Sequence, residues 1–85
     1  MLSRQVTITS PDGLHARPAN EFARLAGGAP ERVMVSRPGE NKVRGDSMLS
    51  LMTLGLRGGE TVIIEISDDS QESLLEKLIS LLSTH

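Results

Sequence analysis

Apolar and polar residues alternate in the segment "LSRQVTITS", Leu2 to Ser10, from Arg4 to Thr9, with Val6 and Ile8 on one side. A period of two marks a half-buried strand. The alternation breaks at "SPDG", Ser10 to Gly13, where proline presets φ and glycine permits a left-handed turn. The period then lengthens. Ala19, Phe22, Ala23 and Ala26 recur at helical spacing, so a helix is expected from about Ala16, with Gly27–Gly28 as its stop. Pro18 falls in the first turn, where a backbone N–H has no intrahelical acceptor anyway.

The stretch from Pro30 to Gly45 reads as two short strands joined by "RPGEN", with Val33 and Val35 sharing a face. A short helix follows in "DSMLSLMTLG", capped by Ser47 and ended by Gly55. "ETVIIEIS" is a strand with Val62, Ile64 and Ile66 on one face. The last helix carries Leu75, Leu78, Ile79 and Leu82 as its apolar stripe, with Asp69 and Glu72 placed as a capping box. The order is β-α-β-β-α-β-α. Helices against one face of an antiparallel sheet, an α+β two-layer sandwich, is the simplest packing of that order.

Composition narrows the functions. The chain has 85 residues, enough for one domain over residues 1–85, with a small core and little room for a deep cavity. A net charge of -2, one Phe and no Trp or Tyr argue against nucleic acid as a partner. No cysteine and two histidines argue against a disulfide framework or a metal site. Neither a leader nor a membrane-spanning run is visible, so a cytoplasmic protein is expected. No phosphate-binding G-x-x-x-x-G-K loop is present, and no cofactor is expected.

Candidate chemistry gathers in "GLHARPA", Gly13 to Ala19. His15 is placed at the N-cap of the first helix, facing unpaired N–H groups and the positive end of the helix dipole. Arg17 lies in the first turn, and guanidinium matches phosphate oxygens. Imidazole is a good nucleophile near neutral pH, and its attack on a phosphoryl group yields a labile phosphoramidate. The residues alone therefore indicate an anion-handling histidine. A histidine in this place also serves as a plain cap, and three residues do not separate the two roles.

The whole string does more. "GLHARPA" resembles the phosphorylation-site signature of the HPr family, the histidine-containing phosphocarriers of the bacterial phosphotransferase system. "DSMLSLMTLGLRGGETVII" resembles that family's serine-containing segment, and the likeness runs over essentially the entire chain. The resemblance implies an open-faced β-sandwich, a four-stranded antiparallel sheet with three helices on one face. It implies that His15 is phosphorylated on Nδ1 by the phosphoenolpyruvate-dependent enzyme I and passes the group to an enzyme IIA. Arg17 would contact the phosphoryl group, helped by the backbone N–H groups of Ala16 and Arg17. The protein would then be a carrier, not an enzyme.

Ser47 matches the family's regulatory serine, a target of an ATP-dependent HPr kinase/phosphorylase in some bacteria. A transcriptional regulator is a further partner in the regulatory reading. The neighbourhood departs from the regulated pattern: Asp46 precedes Ser47 where a basic residue is common, and Ser50 replaces a frequent glycine. A phosphate beside Asp46 meets like-charge repulsion, and a cap explains Ser47 fully. The matching segment of the family docks partners, which assigns Met48 and Met52 to an apolar patch with Leu49 at its margin. On a helical wheel Arg17, Asn20, Glu21 and Arg24 oppose the apolar face, so Asn20 and Arg24 are expected in a polar rim that steers acidic partners. A monomer is expected of a transient carrier. The alternative is a regulatory or specialised-branch module, nitrogen-related or dihydroxyacetone-linked, that acts by phosphorylation-dependent protein binding. His85, the last residue, is assigned no role.

Overall fold

Seven elements follow one another in the expected order, β1 (Leu2–Thr7), α1 (Ala16–Gly27), β2 (Val33–Ser36), β3 (Val43–Arg44), α2 (Met48–Thr53), β4 (Thr61–Ile66) and α3 (Glu72–Ser83). The computed structural model describes residues 1–29 and 32–83. Pro30, the expected start of the hairpin segment, and His85 lie outside the described residues.

The strands form one antiparallel sheet in the order β1-β4-β2-β3. Strand β4 is central, pairing Leu2↔Ile66 through Thr7↔Thr61 on one side and Val33↔Ile66 through Ser36↔Ile63 on the other. Its alternation works as expected. Val62, Ile64 and Ile66 are buried, and the residues between them face the open side half-exposed. Val6, Val33 and Val35 join the same buried face. Over it lie Ala19, Phe22, Ala23 and Ala26 of α1 and Leu75, Leu78 and Leu82 of α3. Phe22 is fully buried, and removing such a side chain from water is worth about 1.5–3 kcal/mol. The small α1 residues around it allow the close approach of helix and sheet.

Several local readings need correction. Strand β1 spans Leu2–Thr7, so the segment Leu2 to Ser10 starts where expected but ends sooner. Ile8 stays buried and bonded beyond the strand, donating to Glu60 O (2.9 Å) and accepting from Gly59 N–H (2.7 Å). Asp69 and Glu72 form no capping box, because α3 begins at Glu72 itself. Glu72 instead meets Arg4 at 2.7 Å, and Asp69 meets the Met1 ammonium. The turn ahead of α3 is made by Asp68, whose Oδ1 accepts from the Ser70 N–H (2.9 Å) and hydroxyl (2.7 Å). These bonds hold the Asp68 carboxyl below its usual range, the backbone N–H first. Ile79 is only partly buried beside the Leu75, Leu78 and Leu82 stripe. At the end of α1 no left-handed residue is needed. Gly28 has φ -85, and its N–H closes the turn on Leu25 O at 3.2 Å.

Candidate functional site

Helix α1 starts where the motif places it. Its N-cap is His15, in extended backbone (φ -85, ψ -177), and the imidazole makes no capping hydrogen bond. The first intrahelical donor is Ala19 N–H, to His15 O at 3.1 Å. Helix geometry therefore gives the N–H groups of Ala16 and Arg17 no acceptor, and Pro18 has no N–H to satisfy. An exposed imidazole thus stands beside two outward-facing donors at the positive end of a helix of 12 residues.

The loop before His15 is held by backbone rather than by side chains. Gly13 has φ +69, and a Cβ there would lie 2.3 Å from Leu56 O and 2.7 Å from Arg57 Cα. The reciprocal contact comes from Gly58, whose Cβ would lie 2.4 Å from Ser10 O. Two loops, one before α1 and one between α2 and β4, therefore interlock main chain to main chain. Leu14 N–H donates to Leu56 O at 3.2 Å, and buried Leu14 anchors the step before His15.

The partner loop has its own brace. Arg37 forks onto Glu60, with Nε at 2.8 Å from Oε1 and the second nitrogen at 3.2 Å from Oε2, and reaches Gly55 O at 3.3 Å. Glu60 Oε2 also accepts the Arg57 N–H at 2.6 Å. The Arg37 hydrogen bond first, and the Arg57 N–H second, hold the Glu60 carboxyl below its usual range. Neither Arg37 nor Glu60 stood out in the sequence, because the pair links the loop after β2 to the loop before β4.

His15, Arg17, Pro18 and Glu21 line an open cleft of 520 Å³ with Ser10, Gly13 and Leu14 and with Ser80 to Leu82 of α3. Arg17 is 88% exposed and lies 3.7 Å from Glu21 through Nε. The expected rim residues Asn20 and Arg24 are exposed. Arg24 sits on a second, shallow groove of 390 Å³ with Glu21, Leu25 and Leu81. The wheel places Glu21 on that rim but misses its pairing with Arg17, for which the i,i+4 spacing was the available signal.

Helix α2 packs against α1. Ser47 caps it as expected, its hydroxyl accepting from Ser50 N–H at 3.2 Å. Asp46 does not stand as a bare charge. Arg44 grips it through two bonds of 2.9 and 2.7 Å, and the first effect of that fork is to lower the Asp46 carboxyl below its usual range. Leu51 is buried, whereas Met48 (37% exposed), Leu49 (77%) and Met52 (40%) face out. Leu49 is the most exposed of the three.

The structure is an open-faced α+β sandwich with an exposed histidine at a helix N-terminus, and comparison with known proteins places it in a carrier class. The model described as "PTS HPr component phosphorylation site" matches residues 2–84. Phosphocarrier protein HPr of Streptomyces coelicolor is 34% identical over 83 residues, covering 98% of this chain and 89% of that protein. Its counterpart in Haloferax volcanii is 37% identical over 84 residues, covering 98% and 94%. Among solved structures, HPr-C-His from Thermoanaerobacter tengcongensis superposes with a TM-score of 0.86 at 29% identity, covering 96% and 91%. The chain belongs to the HPr family of phosphocarriers of the phosphotransferase system.

Proposed function

We propose that His15 accepts a phosphoryl group on Nδ1 from enzyme I, itself charged by phosphoenolpyruvate, and passes it to an enzyme IIA. The observation that carries this reading is the N-cap histidine whose side chain is exposed and makes no cap hydrogen bond. The Nδ1 lone pair forms the new N–P bond while the donor's bond to phosphorus breaks, its electron pair staying with the donor. Nε2 keeps its hydrogen. The transfer needs in-line approach and charge stabilisation rather than an enclosed cavity. The Ala16 and Arg17 N–H groups and the Arg17 guanidinium supply donors for the phosphoryl oxygens.

Docking follows the same surface. Met48, Leu49 and Met52 offer an adaptable apolar patch, and Asn20 and Arg24 a polar rim, to enzyme I and enzyme IIA in turn. The protein works as a cytoplasmic monomer. Ser47 is a secondary, regulatory target for an HPr kinase/phosphorylase, and the Arg44 fork on Asp46 reduces the repulsion a phosphate would meet there.

The test is incubation with enzyme I, Mg²⁺ and phosphoenolpyruvate, read by intact-protein mass spectrometry beside His15→Ala. One acid-labile phosphoryl group on the wild type, absent from the variant, is the expected result. No transfer from several enzyme I proteins would sink the reading.

A further inference from the structure

Glu21 is a carboxylate on the cleft that holds His15, and among the described residues lining that cleft it is the single anionic side chain. Helix stability does not account for its position. Acidic residues favour the first turn of a helix, and the first turn of α1 has none. Paired charges favour the acid on the N-terminal side, whereas here Arg17 precedes Glu21. The contact is long, at 3.7 Å, and the side chains are 88% and 47% exposed, so it adds little to folding. What the position does achieve is to set a negative charge against the guanidinium meant for the phosphoryl group.

Resting on the phosphocarrier reading, we propose that Glu21 is a counter-charge that tunes how tightly His15 holds its phosphoryl group. While the imidazole is bare, Glu21 steadies Arg17 at the cleft. When the phosphoryl group arrives, its oxygens compete with the carboxylate for one guanidinium, and the two anions repel. The phosphorylated form is raised in free energy relative to the bare form, so the group leaves more readily for an acceptor. Glu21 touches neither the phosphorus nor the imidazole in this scheme. It is a positioning residue acting through Arg17. Because the pair is weak and solvated, the effect is graded and does not block acceptance.

The experiment sets wild type, Glu21→Gln and Glu21→Asp at equilibrium with enzyme I at a fixed ratio of phosphoenolpyruvate to pyruvate. The phosphorylated fraction is read by intact-protein mass spectrometry. Glu21→Gln should raise the ratio of phosphorylated to bare protein about two- to fivefold at ~0.01 M salt, the range expected of one exposed charge. The gap should close at ~0.5 M salt, and Glu21→Asp should stay near wild type. Equal ratios for wild type and Glu21→Gln at low salt would overturn the proposal and leave the carrier reading intact. A shift that persists at high salt would overturn it too, since packing is not screened. A wild type that takes no phosphoryl group would overturn the carrier reading itself.

Discussion

Helices α1 and α2 both begin at a polar residue in extended backbone, yet they treat it in opposite ways. Ser47 turns its hydroxyl back onto the Ser50 N–H and closes the end of α2. His15 makes no such bond, and the first N–H groups of α1 face outward. A closed end contributes to stability, and an open end keeps its donors for a visitor. Both are braced from behind by different means. Backbone interlock at Gly13 fixes the approach to His15, and the Arg44–Asp46 fork fixes the approach to Ser47.

The contrast is strongest for His15→Ala. Labelling by enzyme I should vanish while urea unfolding shifts by no more than about 0.5 kcal/mol, as for a surface change that removes no bond. A loss of stability equal to that of Ser47→Ala would break the comparison. Gly13→Ala attacks the brace instead. A methyl placed 2.3 Å from Leu56 O at φ +69 should cost about 2–5 kcal/mol, read by urea unfolding. If that variant proves stable, the two loops are not locked as described. Ser47→Ala should cost about 1 kcal/mol, the usual worth of an N-cap hydroxyl, with phosphorylation at His15 retained.

The smallest effect is one of pH. The Asp46 carboxyl is lowered in the fold, so its contribution is present above the ordinary carboxylate range and is lost as pH falls through the lowered value. Glu60 behaves likewise on the other brace. Melting temperature followed from about pH 5 to about pH 2 should fall less steeply in Arg44→Met than in wild type. Parallel curves would show that the fork does not couple to folding.

Much of this was open to reading in the chain itself. Val62, Ile64 and Ile66 alternate and Ala19, Phe22, Ala23 and Ala26 recur helically because each set faces one core. "GLHARPA" singled out His15 and Arg17 as candidates, through the resemblance of the whole string more than through the three residues alone, and both line one cleft. What escaped was tertiary. Asp69 and Glu72 fit a local capping pattern, but the folded chain brings the Met1 ammonium and Arg4 to them. Gly13 suggested a turn, whereas its deeper requirement is the approach of Leu56 and Arg57 from another loop. The Arg37–Glu60 brace has no local spacing to betray it.

That interlock also orders events in time. Gly13 meets Leu56 and Gly58 meets Ser10 across the same long separation in sequence that the pairing of β1 with β4 must close. Closing so long a stretch of chain is slow compared with forming a local helix. During synthesis His15 emerges before the distal loop, and the surface around it is complete only once that loop has been made and docked. A half-made chain carries the histidine without its setting.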